Sequence, residues 1–167
     1  MTGGAGYIGS VVTSQLLRAD HQVIVLDDLS TGHADAVPEG ARWVQGRIQD
    51  ASDVLAGGNV DGVLHFAAKS LVEQSQRRPD LYWDNNVCGT LALLAAMRDA
   101  GVPRMVFSSS AATYGEPDVS PITEEVPAVP INPYGQSKLA VDYMLAGMCQ
   151  AYGLAAAVLQ AQANWRR

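Results

Sequence analysis

The sequence predicts an α/β fold, a Rossmann-like doubly wound parallel sheet, on three observations. A glycine loop with G-x-x-G-x-x-G spacing at Gly3, Gly6 and Gly9 opens onto a helical stretch. The run Val23–Leu26 then ends on the acidic pair Asp27-Asp28. Beyond it, short β-branched runs alternate with longer helical stretches, the pattern of βαβ units. Strands are expected at Gln22–Asp27, Arg42–Val44, Gly62–Phe66, Met105–Ser109 and Ala155–Leu159. Helices are expected to begin at Tyr7, Ser52, Asp80 and Pro133. Two carry apolar periodicity, with Leu91, Leu94 and Ala95 on one face and Leu139, Tyr143 and Ala146 on another. Gly101 and Pro103 stop the helix before the Met105 strand. Five prolines in Glu116–Pro133 mark a surface loop that could lie over a ligand.

Composition narrows the class. A length of 167 residues suits one domain, and 48% hydrophobic with 17% charged residues is ordinary globular usage. The longest strictly apolar run, Leu91–Met97, is far short of the roughly 20 residues a membrane span needs, so no membrane partner is expected. The opening residues have neither the basic nor the apolar region of a secretory signal. Cys88 and Cys149 have no metal or redox spacing, and a reduced, cytoplasmic protein is expected. With 11 Lys+Arg against 17 Asp+Glu the net charge is −6, which disfavours nucleic acid. An acidic domain still binds one small anion when backbone N–H groups at a helix end do the work.

The glycine loop offers such an end. Glycine permits the tight turn, lets a pyrophosphate approach the backbone and allows close helix packing. The helix that follows points its positive end at the phosphates. An acidic residue about 20 positions on, at the end of the second strand, hydrogen-bonds an adenosine ribose. That carboxylate repels a 2′-phosphate, so NAD is expected over NADP.

A second constellation lies further on. Ser108, Ser109 and Ser110 end a strand, and Tyr134 and Lys138 stand four apart on a helix, which puts both on one face. A nearby ammonium stabilises a phenolate, lowering the tyrosine pKa from about 10 toward working pH. The result is a general base for a sugar hydroxyl, with a serine hydroxyl orienting the same oxygen.

These segments together are similar to the extended short-chain dehydrogenase/reductase superfamily, and within it to the UDP-glucose 4-epimerases. The resemblance rests on TGGAGYIGS (2–10), VLDDLSTG (25–32), HFAAKS (65–70), WDNNVCGTL (83–91), FSSSAATYGEP (107–117) and INPYGQSKL (131–139). It implies that Gly3, Gly6, Tyr7, Ile8 and Gly9 hold the NAD pyrophosphate and that Asp27 and Asp28 hold the adenosine ribose. Ile48, Phe66, Ala67, Ala68 and Asn85 complete the cofactor pocket. Ser110 binds a substrate hydroxyl, Tyr134 is the base, and Lys138 holds the nicotinamide ribose and polarises Tyr134. The implied reaction inverts C4 of a UDP-hexose through a 4-keto sugar. Alternatives are an inactive NAD-binding fragment or a related dehydratase or reductase. The dehydratases carry an acidic pair where this chain has Ala111-Ala112. A homodimer through the helices of Asp80–Ala100 and Pro133–Tyr152 is also implied.

The chain departs from that pattern in several places. The NAD-binding domain is expected at 1–159, without the strand that precedes a glycine loop, and 160–167 is expected as a divergent tail. The lack of a central strand predicts two half-sheets with unpaired buried edges. The resemblance implies a substrate domain after Leu159, and none is expected within these 167 residues. Arg47 stands where an acidic residue usually contacts adenine, and Glu73-Gln74 replaces a small-acidic pair. No metal site is expected. His65 is expected as a packed residue, and Cys88 as helix packing.

Overall fold

The computed structural model describes residues 1–161. Helix α1 (Tyr7–Arg18) leads into β1 (Ile24–Asp27), which pairs in parallel with β2 (Arg42–Gln45). After α2 (Ala51–Leu55) come β3 (Val63–His65), α3 (Val72–Arg77), α4 (Pro79–Tyr82), a π-helical turn (Trp83–Cys88) and α5 (Gly89–Asp99). Strand β4 (Arg104–Ser110), α6 (Pro133–Tyr152) and β5 (Ala155–Ala161) follow. Of the expected tail, Gln160 and Ala161 extend β5; the remainder lies outside the described residues.

The two half-sheets are present, ordered β1-β2 and β3-β4-β5, with every pairing parallel. They are stitched by Met1 and Thr2. The Met1 ammonium donates to the Ile24 carbonyl, and the Met1 carbonyl accepts from Leu26 N–H. On the other side Thr2 N–H donates to Leu64 and the Thr2 carbonyl accepts from Phe66 N–H. Below these two residues a cavity of about 1280 Å³ separates the N-terminal parts of β1 and β3, lined by Ile24, Val63, Leu64 and Met105 among others. The cavity lies at the opposite ends of the strands from the glycine loop, away from the ends where ligands bind in such sheets.

The core packs Leu93, Leu94 and Met97 of α5 and Val141 and Leu145 of α6 against Val63, Met105 and Phe107. Three expectations are corrected. On α6 the buried face is Ser137, Lys138, Val141 and Leu145, while Tyr143 is 69% exposed. The helix is seated by its polar residues, which a search for apolar periodicity passes over. On α5 Leu94 is buried but Leu91 is exposed. Cys88 is exposed too, so it is not a packing residue. The long helix expected from Asp80 is present without a break from Pro79 to Asp99, its turn Trp83–Cys88 being π-helical.

Removing a fully buried side chain costs the lost transfer energy plus that of the cavity left behind. Leu145→Ala is expected to lower the unfolding free energy by about 2–5 kcal/mol in urea titrations. Tyr143→Ala, on the exposed face, is expected to change it by less than about 0.5 kcal/mol.

Candidate active site

The three glycines of the loop do different jobs. Gly3 has φ +74°, and a Cβ there would lie 2.5 Å from the Ala67 nitrogen, so both its conformation and its surroundings demand glycine. A Cβ on Gly9 would lie 2.1 Å from the Gly3 carbonyl oxygen, so Gly9 lets α1 pack onto the loop. At Gly6 the nearest atom would be 3.5 Å away, an ordinary contact. The fold itself therefore tolerates a methyl at residue 6, and glycine there keeps the outer rim of the loop open. Gly6 is the N-cap of α1 and supplies no side-chain cap. The N–H groups of Tyr7, Ile8 and Gly9 thus lack intrahelical partners at the positive end of the helix dipole. This uncapped, glycine-walled end fits a pyrophosphate.

A cleft at the C-terminal ends of β1 and β3 gathers Gly3, Gly6, Asp27, Asp28, Ile48, Phe66, Ala67, Ala68 and Asn85. Residues expected from five separate stretches of chain thus share one wall. Tyr7 and Ile8 have exposed side chains and do not line it, so what they offer is backbone. Asp27 has a structural task as well. One carboxylate oxygen accepts from Ala5 N–H at 3.0 Å and the other from Leu29 N–H at 2.9 Å, tying the glycine loop to the turn after β1. Asp28 is exposed and caps Ser30 N–H at 2.9 Å. Arg47 does not enter the cleft lining; it pairs with Asp84 at the surface.

Tyr134 and Lys138 stand one turn apart on α6 and Ser110 ends β4; none of the three lines the cleft. Asn132 caps α6 by accepting from Gly135 N–H at 2.9 Å, and Pro133 stands in its first turn. A Cβ on Gly135 would lie 2.4 Å from the Ala112 carbonyl, so glycine lets this turn sit against the 3-10 turn Ala111–Tyr114. Ser110 Oγ, at the end of β4, accepts from Ala112 N–H at 3.2 Å. The Tyr134 ring is half-buried and meets Tyr82 edge-on at 6.3 Å. Lys138 is 3% exposed, donates to the Ser108 carbonyl at 2.7 Å and lies 4.7 Å from the Phe107 ring centre. Burial pulls its ammonium down to about 8, with the Asp142 carboxylate opposing. Asp142 is pushed up by burial, while the hydrogen bond from Ser109 pulls it down. An ammonium has three donors, so Lys138 keeps capacity for a ligand hydroxyl beyond its bond to Ser108.

His65 is a packed residue, as expected. It is 1% exposed, stacked on Phe107 and bonded on both ring nitrogens. Its pKa is lowered to about 3, chiefly by burial and secondarily by the charges of Lys138 and the N-terminus. Sequence reasoning missed Lys69, Asn86, Thr90 and Ser137, which join the two clusters through buried hydrogen bonds. Their only signal was adjacency, Asn86 following Asn85 and Ser137 preceding Lys138. Among the described residues, no group of three His, Cys, Asp or Glu could hold a metal ion.

Comparison with known proteins agrees with this geometry. The NAD dependent epimerase/dehydratase family matches residues 1–163. The chain belongs to that family. A UDP-glucose 4-epimerase of Streptomyces lividans is 56% identical over 160 residues, covering 93% of this chain and 49% of that protein. One from Corynebacterium glutamicum is 51% identical over 161 residues, covering 96% and 49%. The crystal structure of the Brucella ovis UDP-glucose 4-epimerase in complex with NAD superposes with a TM-score of 0.92 at 41% identity, covering 95% of this chain and 50% of that one. That of the Thermotoga maritima enzyme with UDP-glucose gives 0.92 at 34%, covering 95% and 53%. The chain spans about half the length of the relatives it matches. The epimerase family and the Rossmann-like fold read from the motifs are thus confirmed.

Two outcomes test the site. Gly6→Ala is expected to leave the urea midpoint near that of the parent chain while weakening NAD⁺ binding in calorimetry. Gly9→Ala is expected to disrupt folding. The second concerns acid. The unfolded chain binds a proton at His65 near pH 6.5 and the folded chain only near 3. Stability from this group is therefore complete above pH 6.5 and is lost as pH falls through the window to about 3. His65→Gln is expected to flatten the stability–pH slope there by up to about 1.4 kcal/mol per pH unit.

Proposed function

We propose that the chain binds NAD and carries the cofactor and base half of an epimerase acting at C4 of a UDP-hexose. The observation that carries this reading is that the cleft beside an uncapped glycine-loop helix is tied, by hydrogen bonds through Lys69, Asn86 and Ser137, to the turn of α6 that bears Tyr134 and Lys138. The first half suits a dinucleotide, and the second suits proton abstraction from a hydroxyl. The UDP-glucose 4-epimerase names of the relatives support the substrate class.

In this reading Gly3, Gly6 and the first-turn N–H groups of Tyr7, Ile8 and Gly9 hold the pyrophosphate. Asp27 and Asp28 place negative charge beside the adenosine ribose, while Ile48, Phe66, Ala67, Ala68 and Asn85 wall the pocket. NAD⁺, when bound, supplies a two-electron acceptor that is restored within the turnover, so the reaction has no net redox change. Tyr134 accepts the proton of the sugar 4-hydroxyl at its phenolic oxygen and later returns it. Lys138 favours the phenolate by its charge and donates to the ribose hydroxyls. Ser110 Oγ donates to the same sugar oxygen and holds it toward Tyr134. A homodimer through the helices that expose Trp83, Leu91 and Tyr143, and a cytoplasmic location in keeping with two free thiols, complete the proposal.

A second reading follows from the extent of the match. The relatives are about twice as long, and substrate contacts made by their other half would be needed to position the sugar. In that reading the 167-residue chain retains NAD without turnover.

The experiment is co-purification of NAD together with conversion of UDP-galactose to UDP-glucose. Turnover that Tyr134→Phe lowers by about 10²–10⁴-fold supports the epimerase. Retained NAD without turnover supports the second reading. Turnover unaffected by Tyr134→Phe contradicts the assigned base.

A further inference from the structure

Asn86 is 2% exposed and sits in the π-helical turn, one residue beyond Asn85 of the cleft wall. Its side-chain amide is fully used. Nδ2 donates to the Lys69 carbonyl at 3.0 Å and to Ser137 Oγ at 3.0 Å. Oδ1 accepts from Lys69 N–H at 2.8 Å and from Asn85 Nδ2 at 3.0 Å. Two donors and two lone pairs are the whole capacity of the group. The clasp on Lys69 also settles which amide atom is oxygen, because a backbone N–H requires an acceptor and a backbone carbonyl a donor.

The bonds continue on both sides. Ser137 Oγ, having accepted from Asn86, donates to the Tyr134 carbonyl at 2.7 Å. In the other direction the Asn86 carbonyl accepts from Thr90 Oγ1 at 2.6 Å. Thr90 has spent its one hydrogen there, so toward His65 Nε2, at 2.9 Å, it is the acceptor. His65 therefore carries its proton on Nε2, and Nδ1 accepts from Thr2 Oγ1 at 2.5 Å. Thr2 adjoins Gly3. One directed chain of buried hydrogen bonds thus runs between the glycine loop and the helix turn of Tyr134. Thr2, His65, Thr90, Asn86 and Ser137 are each less than 5% exposed.

We propose that Asn86 is a positioning residue, whose amide sets the Tyr134 turn of α6 against the cofactor-facing strip Phe66–Lys69. It touches neither the cleft nor the phenol, and it acts through Lys69, Asn85 and Ser137. Successive residues of a helix point in different directions, which sends Asn85 to the cleft wall and Asn86 to the interior. The inference deepens the proposed function, for which the spacing of base and cofactor sets the reaction geometry. A misplacement of about 1 Å in such a site costs about a hundredfold in rate.

The test uses the 167-residue chain labelled with [13Cζ]tyrosine, with the Tyr134 signal assigned by its loss in Tyr134→Phe. NAD⁺ affinity is read by calorimetry and stability by urea titration. Asn86→Asp keeps the shape and the acceptor but sets a carboxylate oxygen against the Lys69 carbonyl. It is expected to weaken NAD⁺ binding about tenfold or more and to move the Tyr134 resonance. Ser137→Ala cuts only the branch to Tyr134. It is expected to move the Tyr134 resonance and its titration midpoint while NAD⁺ affinity stays within about threefold. Variants that change the urea midpoint alone, with the Tyr134 signal and NAD⁺ affinity of the parent chain, would overturn the positioning role. Should Asn86→Asp fail to fold, Ser137→Ala decides by the Tyr134 signal. A parent chain that binds no NAD⁺ counts against the proposed function, and the Tyr134 signal still decides the role of Asn86.

Discussion

Two residues of backbone hold the sheet together. Met1 and Thr2 lie between β1 and β3; Met1 donates to and accepts from the β1 side, and Thr2 donates to and accepts from the β3 side. The next residue, Gly3, donates to the Leu26 carbonyl and turns with positive φ. The position of the glycine loop over the strand ends follows from this stitch. So does the approach of Gly3 to Phe66 and Ala67, where no side chain could fit. Asp27 adds a second tie from β1 to the loop through Ala5. The cofactor cleft is therefore a consequence of strand register, and little of it depends on flexible side chains.

The other half of the site is held differently. Lys138 and Ser137 are buried polar residues on α6, and the helix is seated as much by their bonds as by Val141 and Leu145. Buried polar groups of this kind are costly unless every member finds a partner, and here they do so in an ordered chain. Among the described residues, Thr13 Oγ1, Gln49 Oε1 and one oxygen of Asp142 are buried and find no partner, and the Asp142 carboxylate lies next to this site. Burial without full pairing is the physical reason that Asp142 rises and Lys138 falls from its ordinary value.

Much of this was legible in the residues. The strands follow from β-branched runs, a helix is expected from Pro133, and the two groups of candidate residues come from Gly3–Gly9 and Tyr134–Lys138. What escaped has one cause. Apolar periodicity finds faces that avoid water and cannot see a face seated by serine and lysine, so it chose Leu139, Tyr143 and Ala146 on α6. The polar hexamer Val72–Arg77 gives α3 no apolar stripe to detect. Asn85 and Asn86 read in sequence as one polar pair, and only the fold separates them into cleft wall and interior clasp. Asp27 is expected from the sequence as a ribose contact, and only the fold shows its bonds to Ala5 and Leu29.

The central claim is that the loop at Gly3–Gly9 and the acidic end of β1 form a dinucleotide site selective against a 2′-phosphate. Calorimetric titration of the same chain with NAD⁺ and with NADP⁺ tests it most directly. Saturable binding of NAD⁺ with no measurable heat from NADP⁺ is the predicted result. Equal binding of both, or of neither, would contradict the account.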